Sequence, residues 1–213
     1  MAKESNGRIS GSMGTVTYYV VKGEQRIKKK AHHNTSKRTV RRKRTEAQAN
    51  QLARFRLANE FASHWKNLFN ISFETIGVQI GKCQAIRYLL STAIIGTGKD
   101  LKIDLSKLIV ARGSALGAAG VQVTSLPGKL EFTWEDNSGN NRNAALDDAI
   151  LVACCEKYDS MCFYTLKGGE RSGGRGELNV LDTPGDQYHT WISFIKKNGV
   201  AADSVYCGVV TTV

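Results

Sequence analysis

The fold class of this chain is indicated most clearly by the stretch DAILVACCEKY, residues 148–158. Its apolar run ILVACC is far shorter than the roughly 20 residues that a membrane-spanning helix needs. A short apolar run of this kind, bounded by charged residues, is typical of a β-strand in a globular core. Cys154 and Cys155 lie inside the run with no histidine nearby in sequence. We therefore interpret them as packing residues and not as catalytic ones.

Further candidate strands surround this stretch at short spacing. They are KLIVARG (107–113), VQVTS (121–125), KLEFTWED (129–136), MCFYTLK (161–167), ELNVLD (177–182), YHTWISFIKK (188–197) and SVYCGVVTTV (204–213). Turn signals such as PG, NSGN and KNG separate them, which predicts an antiparallel β-sandwich over 98–213. We expect Leu130, Phe132 and Trp134 to face inward, with Trp191 and Phe194 opposite them.

A helical region is predicted at 45–97, before the strands. In TEAQ, Thr45 can cap a helix whose third residue, Gln48, completes a capping box. Apolar residues follow at spacings of three and four, which predicts one buried face. They are Leu52, Phe55, Ala58, Ala62, Trp65 and Phe69. A second helix is predicted in KCQAIRYLLSTAIIG, ending at Gly96.

The N-terminal segment, 1–27, has the pattern of a β-hairpin. GTVTYYVVKGEQRIKKK (14–30) alternates Val16, Tyr18 and Val20 with Thr17, Tyr19 and Val21, and KGEQ supplies a turn. Because an isolated hairpin is marginally stable in water, we expect it to pair with another part of this chain or with a neighbouring copy.

The segment 28–44 is a basic linker with almost no apolar residue. It contains nine cations: Lys28, Lys29, Lys30, Lys37, Arg38, Arg41, Arg42, Lys43 and Arg44. Residues 1–66 hold 16 Lys and Arg against 4 acids, whereas the remainder of the chain has a net charge of −1. Such a charge asymmetry predicts a basic arm joined to a neutral body, with a polyanionic partner for the arm.

Three interpretations of the basic linker remain open. Its cations could neutralise phosphates and release counterions, which would give salt-dependent binding to nucleic acid without base specificity. The arm could instead dock on an acidic protein surface and become ordered there. A solvated face is the third interpretation. Aromatic residues do not interleave with the cations, which disfavours stacking on single strands.

The sequence contains no convincing catalytic motif. KGGERSGGRG (167–176) is rich in glycine but lacks the G-K-[ST] ending of a phosphate-binding loop, so we interpret it as a hairpin loop in which Arg171 and Arg175 can make contacts. The adjacent acids Asp147 and Asp148 fit solvated turn caps better than a carboxylate pair for hydrolysis. We therefore expect a protein that is not an enzyme.

The histidine and cysteine spacing also favours a protein without metal or cofactor. No C-x₂₋₄-C or H-x₃₋₅-H pair occurs, and the five cysteines are an odd number, which fits reduced thiols. The N-terminus has neither the apolar core nor the cleavage site of a secretory signal. We therefore expect that the chain is not secreted by a signal peptide.

Three segments carry a resemblance to a known family: GSMGTVTYYVVKGEQRIKK, RTEAQANQLARFRLANEF and the ending DSVYCG. From about residue 11 onward the chain resembles an uncharacterised family from Bacteroidetes, catalogued as a domain of unknown function. It departs from that family at Lys43, where a proline usually precedes the arginine, and in its longer and more basic linker. The tail resembles a fibronectin type III or immunoglobulin-like sandwich. The hairpin and helix start are similar to those of phage virion components, and this resemblance implies a location in a virion or in the bacterial cytoplasm.

The sequence thus predicts an α+β chain with an N-terminal β-hairpin, a basic linker, two helices and an antiparallel β-sandwich. The predicted domains are 1–27, 28–44, 45–97 and 98–213. We expect a non-enzymatic bacteriophage virion or assembly protein that is anchored through its basic arm to neighbouring subunits or packaged DNA. Its expected partners are other assembly subunits, further copies of itself and nucleic acid, but no membrane. The alternative is a cellular nucleic-acid-binding protein of low sequence specificity.

Overall fold

A computed structural model describes residues 3–5, 8–30, 44–73, 81–157, 161–181 and 183–213. The chain divides into two compact units, Met1–Arg44 and Thr45–Val213. The fold is α+β with mostly antiparallel sheets, which confirms the predicted class. The described residues contain no helix that is long and apolar enough to cross a membrane.

The first unit contains a four-stranded antiparallel sheet in the order β1-β2-β3-β4. Its strands are β1 Lys3–Ser5, β2 Arg8–Met13, β3 Val16–Val21 and β4 Glu24–Lys29. The β3–β4 turn consists of Lys22 and Gly23, which have φ of 52° and 82°. Two consecutive positive φ values match the right-handed twist of the strands, so this turn fixes the β3–β4 register.

Helices come first in the second unit. They are α1 Glu46–His64, α2 Lys66–Ser72 and α3 Gly81–Tyr88, and a π-helical turn, Leu89–Ala93, follows α3. The capping box predicted at the start of α1 is confirmed. The backbone N–H of Gln48 donates to Thr45 Oγ1 at 3.3 Å, and the backbone N–H of Thr45 donates to Gln48 Oε1 at 3.1 Å. Gly96, with φ of 82°, follows the short strand that ends this region.

Three sheets make up the rest of the second unit. A two-stranded sheet pairs β5 Ile94–Ile95 with β6 Lys102–Ile103, a three-stranded sheet has the order β11-β8-β7, and a four-stranded sheet has the order β10-β9-β12-β13. Their remaining elements are β7 Gln122–Leu126, β8 Lys129–Thr133, α4 Arg142–Ala145, β9 Asp148–Cys155, β10 Cys162–Thr165, β11 Arg175–Asn179, β12 Gln187–Ile195 and β13 Val205–Thr211. Short 3₁₀ turns occur at Gly98–Asp100, Leu105–Lys107 and Arg171–Gly173.

Strand β9 is buried on both faces and separates two hydrophobic cores. Ile150, Val152 and Cys154 point into a core that they share with the helices. Leu151, Ala153 and Cys155 point into a second core, shared with β8, β11 and β12. A continuous apolar run therefore occurs here because both faces of the strand are covered, whereas alternation would mark a strand with one solvated face.

The position of Trp191 corrects one prediction. Phe194 packs edge-on against Trp134, as expected, with ring centroids 5.6 Å apart. Trp191 faces the helices instead, and its ring centroid lies 6.0 Å from that of Trp65. Residues three positions apart on a strand point to opposite faces, so both rings could not enter the same core.

The predicted strand at 107–113 is wrong. Leu108, Val110 and Ala111 are buried, but this segment is irregular backbone, and among the described residues its one β-bridge joins Arg112 to Phe73. Side chains satisfy part of its backbone: Ser72 Oγ donates to the Val110 carbonyl at 2.6 Å, and the Val110 amide donates to Ser204 Oγ at 3.1 Å. An apolar segment can be buried without a strand partner when hydroxyl groups provide such hydrogen bonds.

Helix α1 is buried only in its C-terminal half. Ala58, Phe61 and Ala62 are buried, but Leu52 and Phe55 are 41% and 48% exposed, so the predicted apolar face is wrong for the N-terminal half of the helix. The helices and the four-stranded sheet share a core, and the predicted boundary near residue 97 falls inside one compact unit.

Candidate interaction surface

The sheet of the first unit has two chemically different faces, because side chains alternate along each strand. Tyr18 lies opposite Ile27, and Met13 lies opposite Val16. Cross-strand partners share a face, so the register places the large aliphatic residues of β2, β3 and β4, except Val21, on one side together with Tyr18. We call this side the apolar face: Ile9, Met13, Val16, Tyr18, Val20 and Ile27.

None of the residues 9–30 is buried. On the apolar face, Met13 is 55% exposed, Ile27 61% and Val20 40%. The second unit, in contrast, has two cores of fully buried side chains. The sheet therefore presents apolar area that a monomeric globular domain usually covers.

The opposite side of the sheet carries polar and charged residues. Arg26 lies opposite Tyr19, and Lys28 lies opposite Thr17. The Lys28 ammonium is 5.6 Å from the centroid of the Tyr19 ring, and Arg26 makes an exposed ion pair with Glu24 at 3.4 Å. We call this side the basic face: Thr17, Tyr19, Arg26 and Lys28. An exposed ion pair of this kind contributes little stability, so Arg26 stays free to exchange Glu24 for a stronger anion.

The structure describes four of the nine cations predicted to bind a partner. Lys28 and Lys29 lie in β4, Lys30 donates its amide to the Thr15 carbonyl at 2.7 Å, and Arg44 precedes α1. All four are exposed, and within the described ranges none of them makes an ion pair. The remaining five, Lys37, Arg38, Arg41, Arg42 and Lys43, lie outside the described residues.

The register adds two residues that the sequence did not single out and separates one that it grouped. Arg26 and Tyr19 join Lys28 on the basic face, whereas Lys29 lies opposite Val16, on the side of the apolar face. The alternation of β4 could have indicated this division, since residues 26 and 28 must share a side that residue 29 does not.

The charge division follows the structural division closely. Residues 1–44 contain 13 Lys and Arg and 2 acids, and residues 45–213 contain 17 of each. The whole net charge of +11 therefore belongs to the first unit. A polyanion or an acidic surface would be attracted to this unit, and the attraction would weaken as salt screens it.

The Gly-rich segment 167–176 does not present Arg171 as a contact residue. Its side chain is fully buried, and its guanidinium carbon lies 3.7 Å from the centroid of the Phe194 ring. Five oxygens accept hydrogen bonds from this guanidinium at 2.7–3.4 Å: those of the Leu116, Gly117 and Ala144 carbonyls, the Asn137 amide and the Asp147 carboxylate. Burial lowers the pKa of Arg171, and the Asp147 carboxylate opposes that shift.

Asp147 is likewise not the solvated turn cap that its sequence context indicated. Its side chain is only 3% exposed and pairs with Arg171 at 3.4 Å. Asp148, its neighbour, meets the expectation better, because it pairs with Lys197 at the surface. The sequence separation of Arg171 from its partners, 24 to 55 residues, explains why local patterns did not reveal this cluster.

A second polar cluster surrounds His189 in β12. Its Nδ1 lies 2.7 Å from the Tyr206 hydroxyl, and its ring stacks on Tyr206 at a centroid distance of 5.8 Å. Burial lowers the pKa of His189, while Glu156 and Asp104 oppose the shift. His189, Glu156 and Asp104 border an open pocket of about 610 Å³. The hydrogen bond to Tyr206 orients the imidazole within the sheet.

The cysteines and histidines assemble no metal-binding group among the described residues, in which no three His, Cys, Asp or Glu side chains are placed to hold an ion. None of the five cysteines, all of which lie in the described ranges, forms a disulfide bond. Burial raises the pKa of Cys207 to about 12, and it also raises the pKa of Cys162, which lies opposite Cys154 in the β9–β10 pair. These two thiols are therefore poor nucleophiles at neutral pH.

Comparison with known proteins gives likenesses to solved structures and a family. The crystal structure of chicken CNTN1 FN1-FN3 domains is similar over 48% of this chain and 33% of that chain, with 11% sequence identity and a TM-score of 0.34. No curated protein matches the sequence. A family model, described as a family of unknown function, matches residues 8–208, which include the described strands β2–β4 and both cores of the second unit. The chain belongs to this family, DUF6266.

Proposed function

We propose that this protein is a non-enzymatic assembly protein, a structural component of a bacteriophage virion that its N-terminal unit anchors to neighbouring subunits or packaged DNA. The observation that carries the proposal is the confinement of the net charge of +11 to residues 1–44. Within the described residues, Lys22, Lys28, Lys29 and Lys30 are exposed and make no ion pair. Charge concentrated in this way acts as an electrostatic anchor, because it attracts anionic partners without requiring a shaped pocket.

The second unit supports the proposal as a neutral, densely packed body. Its Lys and Arg equal its acids in number, and β9 and β12 are covered on both faces. The pairing of β8 and β11 across a common core with β9 and β12 is compatible with a fibronectin type III or immunoglobulin-like sandwich, a fold type that serves many assembly roles. In this proposal the body faces solvent or other subunits.

A cellular nucleic-acid-binding protein of low sequence specificity is the second candidate. The basic face favours it, because Arg26 and Lys28 lie beside Tyr19 on one exposed side of a sheet. Cations that contact phosphates give affinity, and an aromatic ring beside them can stack on an unpaired base. In this candidate the basic linker extends the same phosphate-binding surface.

The salt dependence of DNA binding tests the anchor. Binding of a short labelled duplex is measured by fluorescence anisotropy for the wild type and for a variant in which Arg41, Arg42, Lys43 and Arg44 are alanine. If these four cations contact phosphates, the slope of log K against log salt falls in magnitude by about 3 to 4. A wild-type slope near zero would rule out DNA as the partner.

A matched control removes four cations from the body. Arg56, Lys66, Lys99 and Lys102 are exposed, and within the described residues they make no ion pair. Their replacement by alanine changes the total charge equally, and we expect it to leave the slope nearly unchanged. An equal loss in both variants would mean that total charge, not the N-terminal unit, determines binding.

Particle sedimentation separates the two candidate functions. Lysates of cells that express the chain with its natural neighbours are run on a density gradient, with and without nuclease. An assembly protein held by subunits stays with the particles after nuclease treatment, whereas a protein held by nucleic acid is released. A chain that stays at the top of both gradients would contradict the virion proposal.

A further inference from the structure

The apolar face poses a physical problem that the basic face does not. Met13, Val20 and Ile27 expose apolar side chains on a sheet in which no described residue from 9 to 30 is buried. A small sheet needs a covered hydrophobic face for independent stability. Some surface must therefore cover the apolar face when the protein is in its working state.

We propose that the apolar face binds the same face of a second copy of this chain. The distribution of charge favours this occupant. Arg26 and Lys28 project from the opposite side of the sheet, so two apolar faces can pack while both basic faces remain in solvent. A second copy also supplies a surface of matching chemistry through two-fold symmetry, which is the commonest symmetry of protein dimers.

One orientation of the two copies is favoured. On the side of the apolar face, Lys29 lies at one end of β4, and Gln25 lies near the other end. A two-fold axis in the interface and perpendicular to the strands places each Lys29 near the opposite copy's Gln25. An axis parallel to the strands would instead place β4, an edge strand, over the opposite copy's β1 and would leave each Lys29 without that Gln25 carboxamide as an acceptor.

The size of the face predicts a weak dimer. Strands of six residues span about 20 Å, and four strands at about 4.8 Å spacing make a sheet roughly 14–19 Å wide. Two such faces bury roughly 600–800 Å² in total, which is less than the roughly 1,200 Å² of a standard specific interface, so we expect a weak and transient dimer with a dissociation constant of about 100 μM. The paired basic faces would then present two anchors on one particle, which raises the effective affinity for an extended polyanion.

Only the role of the dimer rests on the proposed assembly function. Self-association itself can be measured without any partner. Nuclease-treated full-length chain is examined by sedimentation equilibrium over a concentration series at about 0.5 M NaCl, which screens exposed charges. We expect a mass that rises from 23.3 kDa toward twice that value.

Adjacent valines provide a matched pair of variants. Val20 belongs to the apolar face and is 40% exposed, and Val21 points to the opposite side and is 36% exposed. We expect Val20→Lys to weaken the dimer about tenfold or more, because an unpaired ammonium would be buried in the interface. Val21→Lys has the same chemistry on the other side and should change the dissociation constant by less than about twofold.

Three results would overturn the inference: a wild type that stays monomeric at every concentration, equal effects of the two substitutions, or a dimer that Val20→Lys does not weaken. A monomeric wild type whose thermal unfolding midpoint is lowered by Val20→Lys but not by Val21→Lys would show that the chain covers the face itself.

The double variant Arg26→Ala with Lys28→Ala distinguishes the dimer from the proposed binding of DNA. It should weaken DNA binding and leave the dimer intact, so either property can fail without the other.

Discussion

Two arginines in the Gly-rich segment, four residues apart, have opposite environments. Arg171 is fully buried and pairs with Asp147, and Arg175 is 61% exposed and pairs with Glu131 and Glu177 at the surface. The sequence alone predicts both as contact residues, because a single sequence does not reveal partners that lie in distant loops. Burial of an arginine is favourable only when its donors and its charge are satisfied, and the oxygens around Arg171 meet that condition.

Arg171→Met should destabilise the protein by about 3–5 kcal/mol, because it removes the donors of several carbonyls and leaves the Asp147 carboxylate buried without its cation. Arg175→Ala is the matched control and should cost less than about 1 kcal/mol, since exposed ion pairs are weak. The free energy of unfolding from urea titration checks both values. The double variant with Asp147→Asn should cost less than the sum of its single changes, because the asparagine removes the unpaired charge. Equal losses for Arg171→Met and Arg175→Ala would contradict the structural role of Arg171.

At the scale of elements, local signals predicted more than long-range ones. The capping box at Thr45 and Gln48 is confirmed because all of its hydrogen bonds lie within one turn. The predicted strand at 107–113 is wrong, because the side chains of Ser72 and Ser204, far away in sequence, form hydrogen bonds with the Val110 backbone in place of a neighbouring strand. Likewise, the register of β3 and β4 determines which cations share a face, and composition alone shows only that they are numerous.

The layer of helices on the four-stranded sheet offers a test with two tryptophans. Trp65 and Trp191 are both buried and touch each other, but only Trp191 has a described hydrogen-bond acceptor for its indole N–H, the Leu108 carbonyl at 3.1 Å. Replacement by phenylalanine removes similar ring area from both sites. Trp191→Phe should therefore cost about 1–2 kcal/mol more, because it also leaves a buried carbonyl without its donor.

Chemical denaturation of the two single variants under identical conditions measures that difference. Trp65→Phe serves as the control for lost packing, since it removes an N–H that no described residue accepts. A larger loss for Trp65→Phe than for Trp191→Phe would show that the hydrogen bond to Leu108 does not hold the irregular segment against β12.

For the whole molecule, the sequence alone shows which residues hold the net charge, but it does not show which elements share a hydrophobic core. Counting residues locates all of the net charge in 1–44. That the helices and the four-stranded sheet form one core, and that β9 separates it from a second core, depends on contacts between residues distant in sequence. The two divisions coincide at Arg44 and Thr45, which makes the anchor separable in principle from the body.

Removal of residues 1–44 should therefore abolish polyanion binding and leave the body folded. The remaining chain has 17 basic and 17 acidic residues and keeps both hydrophobic cores, so its thermal unfolding midpoint should shift by only a few degrees, about what 1 kcal/mol produces. On a heparin column the full chain should elute at high salt and the truncated chain near the void, because the interaction depends on net positive charge. The full-length variant lacking Arg56, Lys66, Lys99 and Lys102 is the control and should elute close to the wild type. Strong retention of the truncated chain would place the anionic partner's site on the body, and the charge division would then have no functional meaning.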